Sequence, residues 1–443
     1  MKLGDICQLV RGNTYKSSLL SETEGPVLLG LGSIEKDGGF KRGSRKHYPG
    51  KSDSRIILHP GDLYVSLKDL TQECGLLGAI SRVPADLSEG RLTQDTVKLE
   101  LDSSIGEEGK LYVYWSLRTP QYRKYCRARG TGTTNMSLSR TDFLNWEIPP
   151  VSPTRSNLIS TFELIDAKTE ANAKLNGYLA EQCEGIAEHQ TGDVVALASL
   201  CGLVSERVDC READIATYVS TESLLPAKMG KQTASSLPQA GKVTVYKAGD
   251  TLVSNIRPYF KKIWYADRAG TCSGDVLVFR ANQPEHAGYL YSCLRQDRFF
   301  DYVMKGAKGT KMPRGDKKQM LTYEIVNSPS AAAIGAIQTA LEQIPIANKE
   351  NDSLAALRDA LLPKLMSGEI DVSEVDLTQL NSHLSKCSSG SCCILPVMAA
   401  LSATKWRIST KQSMMRTLAS IAVSLRNTVD SVETLCSVNT RDI

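Results

Sequence analysis

Two stretches of the chain carry apolar side chains at spacings of three and four, and both have a polar middle. In the first, Leu158, Phe162, Ile165, Thr169, Asn172, Leu175, Leu179 and Cys183 fall on one helical stripe. In the second, Ile337, Leu341, Ile344, Asn348, Asn351, Leu354, Arg358 and Leu362 take the same spacings at a constant offset. The spacing predicts two helices of about 25 to 35 residues, ~40 to 50 Å long at 1.5 Å per residue. Such lengths exceed one face of a small domain. The seam is that of a helix pair whose interior polar positions fix its register. The predicted interface is Leu158, Phe162, Ile165, Leu175 and Leu179 against Ile337, Leu341, Ile344, Leu354 and Leu362. The plain alternative is two ordinary amphipathic helices, each packing on its own globule. Pro345 lies inside the second stretch and should kink that helix or delay its regular part.

The segments before the two helices also echo each other. Leu3, Ile6 and Leu9 are matched by Leu197, Leu200 and Leu203, and HPGDLYVS at 59 to 66 by KAGDTLVS at 247 to 254. In each of the latter a Gly-Asp turn feeds a short strand. TQDTVKLELD at 93 to 102 returns as CSGDVLVFRAN at 272 to 282. LYVYWSLRTPQYRKYCRARGTGT at 111 to 133 returns as YLYSCLRQDRFFDYVMKGAKGT at 289 to 310, each read as a helix followed by a Gly-containing loop. LNWEIP at 144 to 149 and LTYEIV at 321 to 326 close the series as strands. Landmarks kept in one order, with offsets that drift as loop lengths change, indicate a tandem duplication. The predicted architecture is α+β: two similar globules and two long antiparallel helices, related by a pseudo-two-fold axis. A duplex nucleic acid is also pseudo-two-fold, so two related readers suit a target made of two half-sites.

Composition narrows this picture only a little. With 443 residues, 41% apolar and 23% charged, the chain can build several cores. A net charge of +4 neither demands nor excludes nucleic acid, but the basic residues are clustered. Lys305, Lys308, Lys311, Arg314, Lys317 and Lys318 form one run, and Arg118, Arg123, Lys124, Arg127, Arg129 and Arg140 a looser one. A solvated face is the ordinary reading of such runs. The twelve cysteines lack metal-type spacing and read as buried or free thiols in a reducing compartment. MKLGDICQLVRG lacks the apolar run of a signal peptide, and no segment reaches the ~18 apolar residues that span a bilayer, so a cytoplasmic protein is expected. P-loop, dinucleotide-fold, HExxH and GxSxG motifs are missing, as is the (Asn/Asp/Ser)-Pro-Pro-(Tyr/Phe) signature of amino-methyltransferases. Pro149-Pro150 sits between Ile148 and Val151 instead. The expectation is a chain that binds and does not catalyse, with no metal and no cofactor of its own.

The ordered set resembles the DNA-specificity (S) subunit of Type I restriction–modification systems, the phage-defence systems of bacteria. KLGDICQLVRG, HPGDLYVS with its echo KAGDTLVS, GTGTTN…WEIP paired with KGTKMP…YEIV, and LRDALLPKLMSGEIDV at 357 to 372 carry the resemblance over about residues 1 to 376. Subunits of Type IIB-like systems are similar. The resemblance implies target-recognition domains at 1–150 and 191–328 and conserved spacer helices at 151–190 and 329–376. A C-terminal extension follows at 377–443, either a dimerisation or docking element or a poorly ordered tail. It also implies double-stranded DNA, methyltransferase (modification) subunits and a restriction/translocase subunit as partners, with S-adenosylmethionine on the methyltransferase and no membrane contact. Two other classes remain open: a structural adaptor that oligomerises through its helix pair, and a nuclease with an unrecognised site.

Gly/Thr/Asn/Lys loops let the main chain approach phosphates, while Asn, Arg and Gln can read base edges. The candidate DNA contacts in the first half are therefore Arg129, Thr131, Thr133, Thr134 and Asn135, then Ser66 and Lys68 at a strand end. In the second half they are Lys308, Thr310, Lys311 and Arg314, then Ser254, Asn255 and Arg257. Tyr259 is read as a core residue in preference to a contact.

Overall fold

A computed structural model describes residues 1–367 apart from 43, 44, 134 and 328. The expectation for 377–443 lies outside the described residues. The described residues divide into two compact units, one made of Met1–Ala167 together with 353–367, the other of Lys168–Asp352.

In the first unit, four antiparallel strands lie in the order Cys7–Arg11, Thr96–Leu101, Leu63–Ser66, Ile80–Arg82. A smaller sheet joins Val27–Leu29, Gly90–Leu92 and Ile57–Leu58, its first pair parallel. The strand Leu63–Ser66 is buried throughout because its two-residue period feeds two cores. Leu63 and Val65 join a cluster with the helices, while Tyr64 points into a second cluster with Val27, Leu29 and Leu58. The second unit repeats the main sheet, while its smaller sheet, Arg207–Asp209, Lys242–Tyr246 and Gly270–Cys272, is antiparallel throughout. Its main sheet runs Cys201–Leu203, Val276–Ala281, Thr251–Ser254, Ile263–Tyr265, again antiparallel. There Val253 joins the helical cluster and Leu252 the other. The Gly-Asp turns before these strands are built alike. Asp62 accepts from the His59 N–H at 2.9 Å and Asp250 from the Lys247 N–H at 2.7 Å.

Where one helix was expected before each Gly loop, there are two. In the first unit they are α1 (Gly106–Ser116) and α2 (Pro120–Arg129). Thr119 breaks them by turning extended and capping α2, with Pro120 in the first helical position. A short helix α3 (Arg140–Leu144), capped by Ser139, then stands where a strand was expected to begin. Only Glu147 pairs, in a single bridge with Lys2. Helix α4 (Pro153–Glu188) follows, 36 residues long. The second unit contains α5 (Ala287–Arg295), α6 (Asp297–Lys305) and α7 (Lys317–Leu321), the last capped by Asp316. Glu324–Val326 then pairs with Val194–Ala196. The final helix, α8 (Ala331–Ser367), has 37 residues. It begins well before Pro345 and continues through it, so the expected delay of the regular part does not occur.

Each unit holds one half of each long helix. In the first, Leu158 and Phe162 of α4 share a core with Leu362 and Leu365 of α8, and the Arg155 guanidinium donates to the carbonyls of Leu365 (3.0 Å) and Met366 (3.3 Å). Ile165 is buried and Leu354 half-buried. In the second, Leu175, Leu179 and Cys183 share a core with Ile337, Leu341 and Ile344. There the Asn172 amide donates to Asn351 at 2.8 Å and to Glu350 at 2.7 Å, and the Asn176 amide to Asn348 at 2.8 Å. These pairings run antiparallel. The helices also pack on their own sheets and short helices, so both readings of the apolar stripe hold. Tyr112 and Tyr289 fasten the exits, their hydroxyls donating to the carbonyls of Pro149 (2.7 Å) and Val326 (3.0 Å).

Candidate nucleic-acid interface

After α2 the chain turns through a hairpin. Thr131 and Ser137 exchange backbone hydrogen bonds of 2.9 and 2.8 Å, and the Thr131 hydroxyl also donates to the Ser137 carbonyl at 3.2 Å. Gly132 makes the turn at φ +127°, where a Cβ would stand 2.1 Å from the Asn135 carbonyl. A side chain at that position is therefore excluded. The hairpin is held against the end of the central strand, because Lys68–Asp69 pairs with Met136–Ser137. The Gln72 amide adds a 2.8 Å bond to the Thr133 carbonyl. Asp69 is buried and stiffens this turn by accepting from the N–H groups of Thr71 (2.8 Å) and Leu76 (2.6 Å). Thr131, Thr133 and Asn135 are exposed at the tip. Thr134 is outside the described residues.

The second unit builds the same platform from other residues. Lys308 and Arg314 exchange backbone bonds of 2.9 Å each, and Gly309 turns at φ +101°. Arg314 bridges to Ile256, and the Arg257 N–H donates to the Pro313 carbonyl at 2.7 Å. Lys308, Thr310, Lys311 and Arg314 are exposed. The Lys308 amine lies 3.5 Å from Asp316 and the Arg314 guanidinium 3.3 Å from Asp275, whereas Lys311 has no ion-pair partner among the described residues. The backbone N–H groups of Lys318 and Gln319 hold the Asp316 carboxyl below its usual pKa.

The fold thus brings together, in each unit, the loop and the strand end picked out from sequence. It also sorts their side chains. Ser66 and Ser254 are buried, and their hydroxyls donate to the carbonyls of Lys68 and Ile256 (3.1 Å for the latter), so they shape the turn. Lys68 is half-buried with its amine 2.9 Å from Asp95. Asn255 is buried, and its Oδ1 has no hydrogen-bond partner among the described residues. Arg257 is half-buried at φ +50°. The Arg129 guanidinium lies over the Tyr125 ring, 3.8 Å from its centroid, and 3.8 Å from Asp142.

In the looser basic run two arginines, Arg118 and Arg123, turn inward. Arg123 is 2% exposed and donates to Asp37 and to the carbonyls of Leu77, Cys74 and Gly75. Arg118 contacts Tyr114 and Asp166, and Arg127 pairs with Asp37. Lys124 and Arg140 remain exposed. In the second run Lys305, Lys311, Lys317 and Lys318 are all exposed. Tyr259, expected in the core, is 47% exposed and packs against Phe260 at 4.6 Å between ring centroids. The signal for this was a Pro-Tyr-Phe-Lys-Lys run with no periodic apolar partners.

The cysteines among the described residues are buried free thiols, as expected from their scatter. Burial pushes the thiols of Cys7 and Cys126 up to about 11 and that of Cys183 up to about 12, which keeps them protonated at neutral pH. Among the described residues no group of three or more His, Cys, Asp or Glu could hold a metal ion, and no helix is long and apolar enough to cross a membrane.

Fold and site together define an α+β protein whose two units share the topology of their main sheets, each presenting a hairpin beside a strand end. No protein-family model matches the chain, and no curated protein matches it in sequence. Among solved structures it is similar to the Type I restriction–modification S subunit from M. genitalium, at 14% identity and TM-score 0.44, covering 83% of this chain and 95% of that one. It is also similar to the HsdS subunit from Thermoanaerobacter tengcongensis (14% identity, TM-score 0.30, covering 84% and 96%). A third similar structure comes from work on assembly and conformational transition of the type I R-M system (15% identity, TM-score 0.35, covering 84% and 97%).

Proposed function

We propose that this chain is a non-catalytic DNA-specificity subunit in which each unit reads one half of a bipartite duplex target. The observation that carries this reading is one backbone platform used twice with different side chains. Thr131, Thr133 and Asn135 stand where Lys308, Thr310 and Met312 stand in the second unit. Conserved geometry with exchanged tips is what two readers of unlike half-sites require. Lys311 is suited to a phosphate oxygen, and Asn135 to the paired donor and acceptor on an adenine edge. On this reading the recognition domains are 1–150 and 191–328, and the spacer segments, helical over Pro153–Glu188 and Ala331–Ser367, dock modification subunits. Those subunits would bring S-adenosylmethionine, and a restriction/translocase subunit would complete the assembly.

The test is to purify the chain with and without an amino-methyltransferase partner and to map methylation on genomic DNA. Methylation at one split motif, only with both components present, is the expected result. Cleavage or methylation by the chain alone, or partner activity indifferent to the chain, would overturn the reading.

A further inference from the structure

Of the six non-glycine residues with positive φ among the described residues, Ala227, Lys228, Arg257 and Lys261 meet in one turn of the second unit. Backbone bonds lock it: Ala227 N–H to Phe260 O (2.8 Å), Lys228 N–H to Lys261 O (2.9 Å), Phe260 N–H to Arg257 O (3.0 Å) and Lys261 N–H to Pro258 O (2.8 Å). The Lys228 amine is braced by Glu184 at 3.1 Å and Asp297 at 3.0 Å, and the Lys261 amine by the same Asp297 at 3.0 Å. Strain held this firmly needs a reason, since left-handed backbone is unfavourable for side chains other than glycine. What the turn achieves is to push Tyr259 and Phe260 into solvent, 47% and 40% exposed, with their rings tilted by 53°.

The turn is continuous with the basic hairpin through the Arg257–Pro313 backbone bond and the Ile256–Arg314 bridge. Met312, 47% exposed, lies on that hairpin beside Lys311. An apolar tip flanked by cations suits a polyanion that also offers flat apolar faces, and duplex DNA is such a partner. The first unit has a smaller version at the same station: the turn after Ser66 leaves Leu70 64% exposed, next to its own hairpin.

We infer that Tyr259 and Phe260 form an aromatic wedge that enters duplex DNA at a base step beside the half-site read by the Lys308–Arg314 hairpin. This rests on the hairpin being the DNA interface. The wedge makes the second unit sensitive to how easily that step unstacks, so pyrimidine–purine steps would be favoured without any hydrogen bond to their bases.

The test uses the full chain and a duplex that the parent chain recovers from a randomised pool. Tyr259→Ala/Phe260→Ala should weaken binding about tenfold, within the range for loss of one stacked base, with an unchanged slope against salt. Tyr259→Trp should gain an emission component that the duplex quenches and that the parent lacks. This second readout decides the matter if the double variant melts early. A double variant that binds like the parent, with an unquenched Trp variant, would remove the wedge. Lys311→Ala flattening the salt dependence in the same series would leave the hairpin reading standing. A double variant that keeps the duplex but loses a co-purifying methyltransferase would make the tip a protein dock, which also overturns the inference. If the parent itself binds no duplex, the hairpin reading fails first and the wedge with it.

Discussion

The two hairpins share a backbone and differ in charge. The first carries Thr131, Thr133 and Asn135 beside arginines that are largely committed to internal partners. The second carries Lys311, which has no ion-pair partner among the described residues, beside Lys308 and Arg314 paired with Asp316 and Asp275, further exposed lysines and an aromatic tip. On the proposed reading, one scaffold would supply two kinds of contact: neutral hydrogen-bonding groups in the first unit, and point charges with apolar surface in the second. Much of the attraction to phosphates should come from the second unit, and much of the finer discrimination by hydrogen bonds from the first. A count of basic residues along the chain would have treated the halves as equals.

The comparison can be broken most severely at Arg123. Replacing it with Ala leaves the carbonyls of Leu77, Cys74 and Gly75 without their donor and should cost about 3 kcal/mol or more of stability. Lys124→Ala, its exposed neighbour, should stay within about 0.5 kcal/mol. Equilibrium denaturation of the two variants checks this, and equal losses would mean that Arg123 is not the internal strut of the first unit.

Next in size are the tips. Asn135→Ala should lose ~1 to 3 kcal/mol at one base pair of the target and leave the salt slope alone. Lys311→Ala should weaken binding to every sequence alike and reduce the salt slope by about one phosphate contact. Binding titrations against a panel of single-base variants at two salt concentrations separate these outcomes. The same behaviour from both substitutions would erase the proposed division of labour.

The smallest effect concerns the caps that follow the hairpins. Ser139 caps α3 with a hydroxyl and Asp316 caps α7 with a carboxylate. Ser139→Ala should lose about 1 kcal/mol at neutral pH. The Asp316 carboxyl has a folded pKa below its unfolded one, so its contribution is present above the ordinary carboxylate pKa and fades as pH falls through the depressed folded value. Melting of Asp316→Asn against the parent should therefore show a difference at neutral pH that closes in acid.

Much of the fold was legible because duplication leaves repeated patterns. The two matched stripes identified the helix pair well enough that Asn172 and Asn351, equivalent positions in the two repeats, donate and accept one hydrogen bond. The break between α1 and α2 was also written in the chain, as Thr119 before Pro120, and passed for helix interior because the apolar spacing continues across it. The equivalent break at Gln296 carries no proline and little local signal. Which arginines are internal could not be read at all. Arg123 and Lys124 are adjacent cations in a run, and only the fold delivers Asp37 and three carbonyls to one of them. Tyr259 was misplaced for a related reason: its exposure depends on left-handed backbone at Arg257 and Lys261, residue types that do not advertise it.

The way the long helices are shared imposes an order of assembly on the newborn protein. Among the described residues, the second unit is the single run Lys168–Asp352, all of it synthesised once residue 352 is made. The unit that starts at Met1 is discontinuous and lacks Leu362 and Leu365, two of its buried side chains, until translation has passed them. Of the pieces described, those that complete the first unit are thus made after those of the second.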